Sequence, residues 1–194
     1  MVHASPVSAK TALRLALRAR RKALAAEAPD AAERVAALAP DEILSARLVA
    51  GYRPQGGELD PWPLLRRLAA AGARIGLPRA QARDAPLTFH LHTEGEALAP
   101  DAFGVPAPLP SAPILRPDLI LVPLLAFDPG GVRMGQGAGC YDRTLAAARS
   151  TGAVTVVGLA YAGQEVAAVP AEPHDQLLDA VLTETGYRAF QRNI

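Results

Sequence analysis

The sequence predicts an α/β fold in which a mainly parallel sheet is flanked by helices. Three observations carry this prediction. The apolar run from Leu119 to Phe127 lacks the alternation of a half-solvated strand and reads as a central strand buried on both faces. Leu48 to Tyr52 reads as a strand, and a helix follows it before a second strand at Arg74 to Pro78. The crossover of about twenty residues is long enough to return a parallel strand, which makes a βαβ unit. A further apolar segment, Ala153 to Ala160, follows another helical stretch, so strands and helices continue to alternate.

The totals fit one such unit. A chain of 194 residues suits a single domain, 1–194, with 1–7 expected to be flexible. A formal net charge of +1 excludes bulk attraction to nucleic acid or to a membrane surface. Cys140 is the one cysteine, so no internal disulfide forms and a cytoplasmic location is expected. The opening Met-Val-His-Ala-Ser-Pro carries no apolar signal core, and no apolar run approaches the ~18 residues of a membrane span.

Residues 8–26 read as an amphipathic helix with Ser8 as N-cap and Leu13, Leu17 and Leu24 on one face. Lys10, Arg14, Arg18, Arg20, Arg21 and Lys22 make it basic, and four of them recur every three or four residues along one stripe. Pattern alone reads that stripe as a solvated face; contact with a bound polyphosphate is the other reading. Short helices are expected over 30–38 and from Pro40-Asp41. Pro61, Trp62 and Pro63 lead into a helix over 64–71, which Gly72 ends. Leu87 to His92 alternates as a further strand, with His90 and His92 as strand-surface histidines that lack a third metal ligand nearby. Residues 99–117 hold six prolines and read as a long connection. Pro123 cannot donate to a ladder, so the central strand should end or bulge there. A helix over 143–149, a strand over 177–183 and a polar tail after Gly186 complete the chain.

The segment after the central strand carries the chemistry. Gly135, Gly137 and Gly139 recur at every second position, and Tyr141, Asp142 and Arg143 then open a helix. Small residues let backbone N–H groups converge on an anion, and a helix N-terminus adds positive potential. A P-loop would need Gly-Lys-Ser/Thr, but the segment contains no lysine. A dinucleotide fingerprint would need Gly-x-Gly-x-x-Gly and an acid at the next strand end, where this chain has Leu159-Ala160. A generic anion seat survives, with Arg133 and Arg143 as cations and Asp142 as a candidate metal carboxylate. The competing reading is that the glycines only permit a tight turn.

The run Ala126-Phe127-Asp128 through Arg133-Met134-Gly135-x-Gly137-x-Gly139-x-Tyr141-Asp142-Arg143 resembles the signature of the 5-formyltetrahydrofolate cyclo-ligase family. Lys10 with Leu13-Arg14 is similar to its N-terminal helix, and Glu58 stands where the family has an acidic substrate contact. Leu77-Pro78-Arg79 and His174-Asp175 with Leu178-Asp179 fit its later motifs. Gln136, Ala138 and Cys140 depart from the residues common at their positions, which leaves a catalytically silent folate- or nucleotide-binding relative as the alternative.

The resemblance implies a single-domain, Rossmann-like fold with a basic N-terminal helix. It implies ATP-dependent closure of 5-formyltetrahydrofolate to 5,10-methenyltetrahydrofolate, with Mg²⁺ as cofactor and ATP as co-substrate, by a monomer. ATP would be held by Lys10, Arg14 and the run Arg133, Met134, Gly135, Gln136, Gly137, Ala138, Gly139, Cys140 and Tyr141. Arg133 and Tyr141 would be catalytic, Glu58 and Tyr141 would contact the folate, and Asp142 and Asp175 would hold the metal. Trp62 and Phe103 are candidate walls of the folate pocket, or core residues. Cys140 is expected as a pocket or packing residue, since the reaction needs no thiol.

Overall fold

A computed structural model describes residues 6–191, with the backbone alone for 6–9. Of the stretch 1–7 expected to be flexible, residues 1–5 lie outside the described residues, as does the side chain of Ser8, whose backbone falls inside the first helix and not at its N-cap. The first helix, α1, runs Pro6–Glu27, two residues further toward the N-terminus than the pattern indicated. Two short helices follow, α2 (Ala31–Leu38) and α3 (Asp41–Leu44). Strand β1 (Leu48–Ala50) leads through α4 (Trp62–Ala70) to β2 (Arg74–Ala80), and the two strands pair in parallel. Pro63 sits in the first turn of α4, where its missing N–H costs nothing, and Gly72 takes φ +94° just beyond the helix end.

Strand β3 (Leu87–Leu91) runs antiparallel to β2. The proline-rich connection is more ordered than its composition indicated. It holds a two-stranded ladder, β4 (Leu98–Pro100) with β5 (Pro106–Pro108), and then β6 (Ile114–Leu115) at the sheet edge. Arg79 secures this ladder by donating to the carbonyls of Pro108 at 2.8 Å and Pro100 at 3.1 Å. The central strand β7 (Leu119–Pro123) stops at its proline as expected. Ala126–Phe127 (β8) then pairs with Arg133–Met134 (β9) in a separate hairpin. The helix after the glycines, α5 (Cys140–Thr151), starts three residues before the expected Arg143. Strand β10 (Thr155–Leu159), a 3-10 turn (Ala162–Gln164), β11 (Ala180–Thr183) and β12 (Gly186–Ala189) follow. The polar tail is thus an antiparallel edge strand, and the strand expected from Leu177 begins at Ala180.

The eight-stranded sheet has the order β12-β11-β10-β7-β1-β2-β3-β6, and its five inner strands, β11 to β2, are parallel. Successive residues of β7 supply opposite faces, as strand geometry requires. Leu119 and Leu121 join one buried cluster with Val35, Leu64, Leu65 and Leu68 of α2 and α4. Ile120 and Val122 join the other with Leu145 of α5. Burial on both faces explains why the run lacked alternation. From β1 the chain moves outward to β2 and β3, then returns to β7 and moves the opposite way to β10 and β11. The strand ends of β1 and β7 therefore flank a topological switch point, the crevice where open α/β sheets bind ligands.

His90 and His92 are both buried, not on the strand surface. His90 is satisfied on both nitrogens, by Ala112 O at 2.7 Å and Thr88 Oγ1 at 3.0 Å. His92 lies just past β3 against Trp62, with ring centroids 6.1 Å apart, and burial lowers its pKa. Neither histidine is arranged as a metal ligand.

Candidate active site

A cleft of about 990 Å³ opens at the switch point. Its size is at the upper end of the ~300–1,000 Å³ typical of small-molecule sites. One wall is α1, another is the loop after β1, and the floor is the glycine segment with the N-terminus of α5. Lys10, Arg14, Glu58, the whole run Arg133 to Asp142, and Asp175 all line it.

The floor is shaped by local backbone chemistry. The buried carboxylate of Asp128 accepts from the N–H groups of Gly130 at 2.9 Å, Val132 at 3.1 Å and, through its other oxygen, Val169 at 3.0 Å. That fixes the turn of the β8–β9 hairpin and so aims the glycine segment. Gly137 and Gly139 take φ of +105° and +65°, where a side chain would be strained. Gly139 is the N-cap of α5, and no side chain caps that helix end. The N-cap glycine therefore offers the first-turn N–H groups no side-chain acceptor, beside the positive end of the helix dipole.

Helix α1 lies over this floor because Leu13 and Leu17 pack against Leu125, Ala126, Met134 and Val169. The packing brings the basic stripe to the glycines. A Cβ on Gly137 would stand 3.1 Å from the guanidinium carbon of Arg14, whose Nε is buried without a partner. Arg18 donates to Gln136 Oε1 at 2.8 Å and to Gln136 O at 3.2 Å. Lys10 pairs with Glu172 at 2.5 Å across the cleft.

Arg133 is not a free cation. It is buried, donates to Asp142 Oδ1 at 2.8 Å and bonds the carbonyl of Gln176. The same Oδ1 accepts from Gln176 N at 3.1 Å, so both bonds leave Asp142 Oδ2 outside this pairing. Asp175 stands elsewhere along the cleft in a group with Glu172 and His174, whose ligand atoms lie within 4.8 Å of one another. Asp142 does not join that group. Arg143 is a structural tie, donating to the carbonyls of Ala138 and Arg83 at 2.9 Å each. Cys140 is half-buried; burial raises its pKa, and Arg143 opposes the rise, so the sulfur stays a thiol at neutral pH. Phe103 lines the cleft, whereas Trp62 packs against the core cluster.

The far wall holds a residue whose role the sequence did not disclose. Arg21 belongs to the same basic stripe but is only 2% exposed, and it pairs with Glu58 at 3.2 Å. Glu58 also accepts from Gln55 N at 3.0 Å. Burial raises the pKa of Glu58, while Arg21, the Gln55 N–H and Gln136 pull it back. Burial, and then the Glu58 charge, push the phenols of Tyr141 and Tyr52 far above their ordinary value, so both remain donors. A signal for Arg21 was available: it lies four residues after Leu17 and three before Leu24, on the apolar face of α1.

Fold and site together define a single-domain α/β protein with a cleft lined by cations and backbone N–H groups at its topological switch point. The model of the 5-formyltetrahydrofolate cyclo-ligase family matches residues 6–184. The chain belongs to that family. The 5-formyltetrahydrofolate cyclo-ligase of Mycolicibacterium smegmatis is 39% identical over 148 residues, covering 72% of this chain and 75% of that one. That of Escherichia coli K12 is 34% identical over 178 residues, covering 86% and 96%. Among solved structures, the 5,10-methenyltetrahydrofolate synthetase of Aquifex aeolicus superposes with a TM-score of 0.78 at 27% identity, covering 95% of this chain and 94% of that one. The Mycoplasma pneumoniae synthetase, at a TM-score of 0.64 and 21% identity over 90% of this chain and 98% of that one, bears on the fold alone.

Proposed function

We propose that the chain catalyses ATP-dependent conversion of 5-formyltetrahydrofolate to 5,10-methenyltetrahydrofolate, releasing ADP and phosphate. The observation that carries this reading is one cleft joining an anion-receptive floor to a buried carboxylate, Glu58, on the opposite wall. An N-formyl group is an amide, and its oxygen leaves poorly. The formyl oxygen attacks the γ-phosphorus, and the bond to ADP breaks. N10 then attacks the formyl carbon, loses its proton, and the former formyl oxygen departs as phosphate. Such a transfer asks for alignment and charge stabilisation rather than a protein nucleophile.

This chain's residues suit that division of labour. The N–H groups of the glycine segment and the first turn of α5 receive phosphate oxygens, and Arg14 and Lys10 add charge from above. Arg133 holds Asp142 in place and contributes positive potential below. Tyr141, kept protonated, donates to phosphate or folate. Glu58 accepts from pterin N–H groups.

The reading includes Mg²⁺. Asp142 and Asp175 both line the cleft, at separate places along it, and either carboxylate is a hard oxygen donor of the kind that suits the ion. When bound, Mg²⁺ neutralises charge on the phosphates. We also take the protein to act as a monomer in the cytoplasm. Among the described residues no helix is long and apolar enough to cross a membrane.

The test is growth of the methenyl chromophore when the protein is given 5-formyltetrahydrofolate, ATP and Mg²⁺, with ATP omitted as control. Folded protein that binds folate or ATP by calorimetry yet forms no chromophore would identify a silent relative instead.

A further inference from the structure

The basic stripe of α1 holds one cation that does not face solvent. Arg21 turns inward between the two loops that leave the switch point. Its NH1 donates to Glu58 Oε1 at 3.2 Å and to the carbonyl of Leu124 at 3.1 Å. Its NH2 donates to the carbonyls of Gln55 and Gly56, at 3.2 Å each. Three of these acceptors belong to the loop after β1, and the fourth stands directly after β7. A planar guanidinium can meet four such acceptors at once; an ammonium cannot.

We propose that Arg21 is the positioning residue of the folate side of the cleft, keeping Glu58 a carboxylate and fastening the β1 loop to the end of β7. The part that concerns folate rests on the function proposed above. The geometry favours this role over simple packing, because both oxygens of Glu58 accept a hydrogen bond. Oε1 meets Arg21 and Oε2 meets Gln55 N. Gln136, from the glycine segment, also favours the charged form of Glu58.

The charged and titratable groups around Glu58 define what removing Arg21 would do. From α1 there is Arg21; from the end of β1, Tyr52; from α5, Tyr141; and Asp60 adds negative potential at Tyr52. Arg21 is the cation that opposes the desolvation of Glu58. Without it the carboxyl takes up a proton at higher pH, and a protonated carboxyl cannot accept two hydrogen bonds from a pterin edge.

The experiment compares wild type, Arg21→Met, Arg21→Lys, Glu58→Gln and the Arg21→Met/Glu58→Gln double variant from about pH 6 to about pH 8.5, a window chosen around neutrality. KM for 5-formyltetrahydrofolate and for ATP is measured in the chromophore assay. In parallel, the Glu58 resonance of ¹³C-carboxyl-glutamate protein, identified by its absence in Glu58→Gln, is titrated. In Arg21→Met the folate KM should rise ~10-fold toward the acid end while the ATP KM moves ~2-fold or less, since one unit of pKa is a factor of ten. The Glu58 resonance should titrate at higher pH than in wild type. In the Glu58→Gln background, Arg21→Met should add no pH dependence.

Arg21→Lys keeps a charge but loses the carbonyl bonds. Glu58 should then titrate near its wild-type position while the folate KM rises at every pH. This variant decides the question if Arg21→Met does not fold, and an unchanged folate KM in it would overturn the fastening role. A Glu58 titration unmoved in Arg21→Met, or folate and ATP KM rising together with no pH dependence, would overturn the proposal. If wild type forms no chromophore, the proposed function fails, and the ¹³C titration still decides whether Arg21 governs Glu58.

Discussion

Replacing Arg14 with methionine should move stability and function in opposite directions. Its Nε is buried without a hydrogen-bond partner, and its guanidinium lies against Gly137 at the floor of the cleft. Leaving a buried donor unsatisfied costs about 1–3 kcal/mol. Methionine keeps an unbranched stem and removes that donor, so the fold should gain about 1 kcal/mol. For a chain of this length that raises Tm by ~2–4 °C. The same substitution removes a cation aimed at phosphate. A hydrogen bond to a charged group is worth about 1.5–3 kcal/mol, which corresponds to a ~10–100-fold rise in the KM for ATP. Thermal denaturation followed by tryptophan fluorescence reads the first quantity, and the chromophore assay with varied ATP reads the second. A Tm that falls by ~4 °C or more with an unchanged ATP KM would refute the reasoning. It would mean that Arg14 braces α1 on the floor and does not wait for an anion.

Gly137→Ala places a Cβ at φ +105° and 3.1 Å from the Arg14 guanidinium, so it should cost ~1–2 kcal/mol by thermal denaturation and raise the ATP KM; a normal Tm and KM together would count against the conformation described. Gly158→Ala sets a Cβ 2.7 Å from Leu124 Cδ2 and 2.9 Å from Leu178 Cδ1, and overpacking of this kind should cost about 1–3 kcal/mol in urea unfolding. Glu58 gives a signed dependence on pH. Burial raises its native pKa above that of the unfolded chain, so the native state binds its proton more tightly across that interval. Its contribution to stability therefore falls as pH rises from the ordinary carboxylate range through the native value. The stability of wild type minus that of Glu58→Gln, measured by urea titration, should slope downward with pH there; an upward slope would contradict the direction assigned to Glu58.

Much of the fold was legible because the sheet interior writes itself into sequence. A strand buried on both faces needs an unbroken apolar run, and Leu119 to Val122 supplies one, with Pro123 marking its end. The βαβ unit was legible from Pro63, with its fixed φ, and Gly72, with its freedom at positive φ, at the two ends of α4. The edges were not. Strand β12 starts at Gly186 and contains no fully buried residue, and β4 and β5 are short, proline-containing and held by Arg79 from another strand. Pairing of that kind is decided by distant partners, so neither periodicity nor composition records it. The histidines failed for a related reason: alternation located the strand, but whether its outer face met solvent depended on Ala112 and Trp62.

The site divides along the same line. Its anion-receptive floor was readable, since Gly137 and Gly139 are backbone requirements that only glycine meets easily, and the helix start follows directly. What periodicity could not do was sort the cations that arrive over it. Lys10, Arg14, Arg18 and Arg21 share one stripe at helical spacing, yet the groups that meet them come from three different segments: Glu172, the Gln136-Gly137 pair and Glu58. A cation's function in this cleft is set by the tertiary group that meets it. Arg14 lies with its guanidinium against Gly137 at the floor, whereas Arg21, whose Nε is likewise without a partner, commits both terminal nitrogens to Glu58 and three carbonyls. One helix thus serves both halves of the cleft with the same residue type, offering charge to one ligand and holding a carboxylate ready for the other.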